Sequence, residues 1–237
     1  MLKAGMSIID ITPEKGVQLG GYPHCPRPNE GVHDRLYASC MFLDNGTDRV
    51  AIVAMDIFFF TKRLCTEIRS KFDFDISFTA SHTHSAPNTG LVHDFEKNEG
   101  VFVDEAFVSD LAAKVEKIIK EAHDNTFDAE FGSYVGHCGA EQGVGGNRRE
   151  KGGVCDPSVN ILAVRDSDKK IRGILLNYAL HPTYLHADNV LVSADYPGGV
   201  RNYIHFAFPD AIFMFAQGTI GNQSSRYHRL GQTFEEA

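Results

Sequence analysis

Two apolar runs separated by one amphipathic segment are the feature that most constrains the fold of this chain. The first run, residues 50–60, is apolar apart from Asp56, which is typical of a strand buried on both faces. Residues 61–72 then carry apolar side chains at helical spacing, and a second run of strand-forming residues begins at Ile76. A strand, a helix and a strand in this order predict a crossover unit with two parallel strands.

Two histidines stand where the second run ends. His82 and His84 follow Ser81, and Pro87 closes the segment. Alternate side chains of an extended chain point to the same face, so we expect both imidazoles side by side at the carboxyl end of a strand. Such a pair suits a metal ion, but a His-x-His motif is short, and a surface pair without a ligand is the alternative.

The rest of the chain supplies further strands and helices without an internal repeat or a linker. Asp44-Asn-Gly-Thr47 and Asp166-Ser-Asp-Lys-Lys170 are hairpin signals, and the longest predicted helix has an apolar stripe along one face. The sequence therefore predicts an α/β fold in which mixed β-sheets pack with flanking helices in a single domain. The remaining predicted elements are strands at 7–13, 36–43, 127–135, 159–165, 171–180 and 211–215, and helices at 104–122 and 200–206.

Several further positions bear on a site. His181 ends another apolar strand, and Pro182 biases it toward an extended backbone, so a second strand delivers an imidazole at its end. Asp56 is either a strand-end carboxylate or a group that orients a histidine. The glycine- and proline-rich loop 16–31 either covers a site or makes a surface excursion. Arg148 or Arg149 could hold an anionic or carbonyl group, and a solvated arginine is the alternative.

Composition argues against several classes of function. The formal charge of -8, with only a short basic spot at Arg148, Arg149 and Lys151, argues against a nucleic-acid partner. No apolar stretch approaches the roughly 20 residues that a transmembrane segment requires. The five cysteines include no C-x-x-C pair, which fits reduced thiols and predicts a cytoplasmic location. The sequence leaves the oligomeric state open.

The last residues indicate a helix that has only just begun. Thr233-Phe-Glu-Glu236 fits a capping box, and one residue follows it. A single helical turn is not stable by itself. We therefore expect the sequence to be the amino-terminal part of a longer protein.

With these segments laid out, the order of motifs resembles the amino-terminal catalytic domain of the neutral/alkaline (non-lysosomal) ceramidase family, in a bacterial relative. The resemblance covers nearly all of residues 1–237, as a domain incomplete at its carboxyl end, and the ordered set is more specific than any one motif. The parallels are Gly5-x4-Asp10-Ile-Thr, Gly31-Val-His-Asp-Arg-Leu-Tyr-Ala38, Thr79-Ala-Ser-His-Thr-His-Ser-Ala-Pro87, Asn147-Arg148, Asn177-x3-His181, Ser193-Ala-Asp195 and Phe215-Ala-Gln-Gly-x2-Gly-x2-Ser224.

The resemblance implies a zinc-dependent amidase of lipid metabolism. It implies that His82 and His181 bind Zn²⁺, and that His84 contacts the substrate amide or the developing oxyanion. It makes Ser224 either a nucleophile or a substrate-positioning residue, and zinc-activated water is favoured because a serine would need an adjacent base. The family's other zinc ligands, a glutamate and a tyrosine, lie farther along the chain than this sequence extends. The two predicted substrate-binding residues are Arg148 and Asp195.

Departures from the family's motifs concern specificity more than the metal site. The serine loop reads Gly-Asn-Gln-Ser-Ser-Arg over 221–226, where the family has Gly-Asp-Val-Ser-Pro-Asn. The predicted function is therefore hydrolysis of a linear amide, with a lipid amide such as ceramide or a small soluble amide or ester as substrate. A non-catalytic ligand-binding relative is the alternative. Two histidines make an incomplete zinc site, so we expect the 237-residue chain to be inactive and to bind zinc weakly or not at all.

Overall fold

An eight-stranded mixed sheet forms the centre of the fold in the computed structural model, which describes residues 2–90, 93–94, 99–100 and 103–236. The strands of this sheet are β1 (Lys3–Asp10), β2 (Tyr37–Asp44), β3 (Arg49–Met55), β4 (Asp75–Ala80), β5 (Phe127–His137), β6 (Ser158–Asp166), β7 (Ile171–Tyr178) and β8 (Ile212–Gln217). The described helices are α1 (Lys62–Arg69), α2 (Glu105–Asp124) and α3 (Tyr196–Ala207), with a 3₁₀ turn at Ala140–Gln142. Short pairs join Gly31–Val32 with Leu191–Val192, Gly146–Asn147 with Gln223–Ser224, and His93–Asp94 with Glu99–Gly100.

The order of the strands confirms the predicted α/β class and the mixed sheet in one domain. Along the sheet the order is β8–β7–β6–β5–β1–β2–β3–β4. The pairs β3–β4 and β7–β8 are parallel, and the other neighbouring strands are antiparallel. Parallel neighbours need a crossover, which α1 supplies for the first pair and α3 for the second. The predicted strand–helix–strand unit is therefore present, and a second one follows later in the chain.

Local capping and an apolar stripe explain where the helices lie. Thr61 caps α1, whose buried side chains include Leu64 and Ile68. The Asp104 carboxylate accepts the Phe107 N–H at 2.9 Å at the start of α2. The buried stripe of α2 packs on β1 and β2 and contains Phe107, Val108, Leu111, Val115, Ile118, Ile119 and Ala122.

The two ends of the sheet come together across a small core. Met41 of β2, Ala54 of β3 and Met214 of β8 belong to one buried cluster, although β8 and β3 lie far apart in the strand order. At the end of β8, the Gln217 N–H donates to the Thr79 hydroxyl of β4 at 3.2 Å. This packing brings the carboxyl ends of β4, β7 and β8 to one region of the molecule.

The boundaries differ from the predictions where specific side chains intervene. Strand β3 ends at Met55, because the residues after it turn toward the loop that follows β4, where the His82 N–H donates to the Ile57 carbonyl at 3.0 Å. Helix α3 begins at Tyr196 and includes the proline that follows it, since proline is tolerated in a first helical turn. Near the end of the chain, Glu236 accepts from Thr233 within a turn.

The structure bears on two expectations from composition, which concern transmembrane segments and the state of the cysteines. The helices of the described residues are too short or too polar to span a membrane. The five cysteines are free thiols, as the absence of a C-x-x-C pair predicts. The cytoplasmic location inferred from these thiols stays a prediction.

Candidate metal centre

Three imidazoles meet at the carboxyl ends of two strands. His82 and His84 follow β4, and His181 follows β7. One ring nitrogen of each lies within 4.8 Å of those of the other two, and the Nε2 atoms of His84 and His181 are 3.0 Å apart. Two imidazole nitrogens on one tetrahedral zinc ion lie about 3.3 Å apart. The fold therefore joins both predicted zinc ligands to a third imidazole.

His82 is held in one ring orientation and one tautomer. Its Nδ1–H donates to the Phe58 carbonyl at 2.8 Å, because a carbonyl oxygen can only accept. The Phe58 ring stacks on the imidazole at 4.4 Å. The backbone of His82 has φ 68°, in a region that costs free energy for a residue with a side chain. The packing thus directs an unprotonated Nε2 toward the other histidines.

His181 has an equivalent arrangement on the other strand. Its backbone N–H donates to the Gln223 carbonyl at 3.2 Å, and its Nδ1–H donates to the Ile220 carbonyl at 3.4 Å. Both partners lie in the segment after β8. The carbonyl again leaves Nε2 as the free ring nitrogen.

His84 is the most enclosed of the three. Its side chain is buried between the rings of Tyr22 and Phe58, at centroid distances of 4.9 and 4.8 Å. Its Nδ1 is buried and has no hydrogen-bond partner among the described residues. Its carbonyl accepts from the buried Arg27 guanidinium at 2.7 Å, which fixes the backbone. His84 is therefore placed either as a third metal ligand through Nε2 or as the substrate-facing group of the sequence prediction.

Burial keeps the three imidazoles neutral. Desolvation lowers the pKa of His82, lowers that of His181 to about 4 and lowers that of His84 to about 2. The Arg148 guanidinium contributes to each of these pKa shifts, and repulsion between the imidazoles contributes to those of His84 and His181. Neutral imidazole is the form that binds metals, so three nitrogen donors are ready for a borderline cation such as Zn²⁺. Within the described ranges, no other group of three or more potential ligands comes together in this way.

Ser224 and Arg148 reach the same region through a short antiparallel pair. Ser224 faces Gly146 in that pair and also bridges to His181. The Arg148 N–H donates to the Asn222 carbonyl at 2.7 Å, and its Nε–H donates to the Gly221 carbonyl at 3.1 Å. A cavity of about 380 Å³, here called the histidine cavity, is lined by Tyr22, His84, Arg148, Thr183, His186, Ser224, Arg226, Arg229 and Gln232.

The loop 16–31 supplies part of the wall of this cavity. Tyr22 lines it, and the Arg27 guanidinium lies 4.7 Å from the Tyr22 ring centroid. Gly21 has φ +86°, and a Cβ at this position would overlap the His84 ring. Of the two readings of this loop, the structure supports the one in which it covers a site.

The fold that carries these histidines is similar to the folds of known proteins. No family model matches the chain. The structure of neutral ceramidase from Pseudomonas aeruginosa matches with a TM-score of 0.79 and 20% sequence identity over 94% of this chain. A structure described as ceramidase complexed with C2 matches with a TM-score of 0.77, also at 20% identity over 94% of the chain. The fold is ceramidase-like.

The chain matches only part of each solved protein, and at low sequence identity. The chain spans 39% and 38% of the two solved chains. At 20% identity the likeness concerns the ceramidase-like fold and leaves membership of a sequence family open. The order of sequence motifs and the structural similarity therefore each indicate a ceramidase-like fold.

Two carboxylates singled out from the sequence lie apart from the histidines in this ceramidase-like fold. Asp195 caps α3 and accepts the N–H groups of Tyr196 at 2.7 Å and Leu185 at 3.2 Å. Burial raises its pKa to about 6. Asp56 pairs with Arg201 and accepts the Tyr37 N–H at 3.0 Å, so it orients no histidine. Asp195 lines a cavity of about 320 Å³, here called the aspartate cavity, with His33, Asp34, Tyr184, Leu185, Ser193, Tyr196, Gly198, Gly199, Val200, Asn202 and Phe234.

Sequence reasoning missed several residues of the histidine cavity. Tyr22 lines the cavity from a loop that gives no periodic signal, and Arg27 of the same loop donates to the His84 carbonyl. Arg226 ends the serine loop, and Arg229 follows it. Their chemistry was visible in the sequence, but only the fold brings them to the histidines. The substitution of the motif's final asparagine by Arg226 was the one available sign.

Proposed function

We propose that this chain carries the zinc site of a hydrolase that cleaves a linear amide bond. The observation that carries the proposal is the convergence of three neutral imidazoles beside a cavity that also contains a serine and an arginine. The ceramidase-like fold supports it, because both similar solved structures are ceramidases by name. The proposed substrate is a lipid amide or a small soluble amide.

The roles follow from the position of each side chain. His82 and His181 would hold the metal through Nε2, with the Phe58 and Ile220 carbonyls fixing their tautomers. When bound, zinc would supply Lewis acidity toward water and the amide carbonyl. His84 would complete the donor set or donate to the substrate carbonyl. In either role, its burial excludes competing water.

Arg148 and Ser224 would position the substrate. The Arg148 guanidinium lies at the histidine cavity and would bind the amide oxygen as negative charge develops on it. The Ser224 hydroxyl accepts the Arg226 N–H at 3.1 Å, and no histidine among the described residues hydrogen-bonds to it. A serine without a base is a poor nucleophile, so we assign Ser224 to substrate positioning.

Because His84 can add a third nitrogen donor to the two predicted ligands, the proposal replaces the expectation of an inactive chain. Amide hydrolysis by the zinc-loaded chain, with and without chelator, tests it. The substrates are ceramide in detergent micelles, N-acyl amino acids and short N-acyl amines. We expect chelator-sensitive turnover that disappears in His82→Ala and His181→Ala and persists in His205→Ala, which removes an exposed histidine of α3. Protein that stays metal-free after zinc supplementation would contradict the proposal. Ligand binding without turnover of any substrate would favour a non-catalytic relative.

A further inference from the structure

We infer that the substrate of this site carries an anionic group, such as a carboxylate, and that Arg226 binds it. The inference rests on the proposed function and adds the substrate class. Three arginines line the histidine cavity, and no aspartate or glutamate is among its lining residues. The third is Arg229, which donates to the Thr183 carbonyl at 2.6 Å.

The charges of these arginines are not neutralised by carboxylates within the described residues. Arg148 donates only to backbone carbonyl groups, and the Arg226 guanidinium makes no hydrogen bond to the described chain. The Arg226 guanidinium carbon lies 5.9 Å from the centroid of the Tyr227 ring. Of the nine arginines outside the lining of this cavity, six pair with carboxylates among the described residues, at Arg35, Arg49, Arg63, Arg165, Arg172 and Arg201, and Arg27, Arg69 and Arg149 do not.

The concentration of positive charge is local. The whole chain has a formal charge of -8, so its overall field repels anions. Around the histidine cavity the local charge is positive. Burial and the like charges of Arg149 and Arg226 lower the pKa of Arg148. A cleft lined by one sign of charge focuses the field and raises the local concentration of the opposite ion. Guanidinium groups bind carboxylates through paired hydrogen bonds.

The positions of the donors indicate where the anionic group lies. Arg226 is the last residue of the serine loop, and its N–H donates to the Ser224 hydroxyl. Gln232 also lines the cavity, and its buried Nε2 has no hydrogen-bond partner among the described residues. The anionic group is thus received on the Ser224 side of the cavity, which leaves the amide for the histidines. An N-acyl amino acid has this combination of an amide and a nearby carboxylate.

A matched pair of ligands tests this inference on the zinc-loaded 237-residue chain. N-octanoylglycine and N-octanoylglycinamide differ only in the carboxylate. Isothermal titration at low salt gives the Kd of each for the unmodified protein, Arg226→Gln and Arg63→Gln. The Arg63 variant removes the same charge from α1, outside the cavity. We expect the acid to bind about tenfold more tightly than the amide, since hydrogen bonds to charged groups are the stronger ones.

The expected result is a preference that falls to about twofold in Arg226→Gln, and in high salt, and is unchanged in Arg63→Gln. Equal Kd values for the two ligands, or binding of neither, would overturn the inference. Equal effects of the two substitutions would also overturn it, because the preference would then reflect net charge alone. Hydrolysis of the neutral amide without preference for the acid would leave the proposed hydrolase standing. Preference for the acid without turnover would remove the hydrolase and keep the ligand class.

Discussion

The histidine cavity and the aspartate cavity are both polar, but their polar groups are satisfied to different degrees. In the aspartate cavity, Asp34 accepts the Ala194 N–H at 2.9 Å and the Ser193 hydroxyl, and both Asp195 oxygens accept backbone N–H groups. In the histidine cavity, the Nδ1 of His84 is buried without a partner in the described chain.

The presence or absence of internal partners distinguishes polar groups that hold the fold together from polar groups that are available to a ligand. Buried polar groups normally find partners inside the protein, and a native structure that leaves one unpartnered calls for an explanation. The carboxylates of the aspartate cavity fix the residues that lead into α3. The unpartnered groups of the histidine cavity are the ones that the proposed metal ion and substrate would use.

The largest expected effect is loss of metal at the histidines. Loss of a group that merely orients a ligand weakens metal binding roughly 10–100-fold, so His82→Ala or His181→Ala should lower zinc affinity by about 100-fold or more. Competition titration against a zinc-binding dye measures it. Asp195→Ala should leave the affinity unchanged. A comparable loss in the Asp195 variant would erase the distinction between the two cavities.

The next effect concerns stability at the aspartate cavity. Asp195→Ala removes a helix cap and leaves the Leu185 N–H without its acceptor, which should lower the free energy of unfolding by about 3 kcal/mol. Ser224→Ala, in the other cavity, should cost less than about 1 kcal/mol because its hydroxyl accepts one N–H. Urea denaturation of both variants measures the difference. Equal losses would contradict the comparison.

The smallest effect tests the packing around His84. Gly21→Ala and Gly16→Ala both place a side chain at positive φ, but only at Gly21 does the new Cβ meet the His84 ring. We expect about 1 kcal/mol lost at Gly16 and about 1 kcal/mol more at Gly21. Thermal or urea unfolding compares them. A fall in zinc affinity confined to the Gly21 variant would assign His84 as a ligand, and an unchanged affinity would assign it to the substrate.

Local signals explain how much of the fold the sequence predicts. The hairpin around Asp44-Asn-Gly-Thr47 and the helix after Thr61 depend on nearby residues, so their positions follow from turn chemistry and periodicity. Strand and helix ends differ where distant groups act. Helix α3 begins at Tyr196 because Asp195 caps it, and that cap depends on burial that the sequence does not reveal.

Of the candidate site, the sequence predicts only the residues that lie at the ends of strands. His82 and His181 lie about 100 positions apart in the chain, and each could be recognised as an imidazole at the end of an apolar strand. Their meeting depends on the packing of β8 over β4, which no local pattern encodes. Arg226 and Arg229 occupy an irregular segment, so their contribution to the cavity follows from tertiary structure alone.

Anomalous X-ray scattering at the zinc edge, from crystals of the zinc-loaded chain, is the most direct test of the proposed metal site. We expect one strong peak about 2.0–2.1 Å from the Nε2 atoms of His82 and His181. The distance from that peak to the His84 Nε2 then shows whether His84 is a ligand. A peak between Asp34 and Asp195 with none at the histidines, or no peak in either cavity, would contradict a zinc site at the histidines.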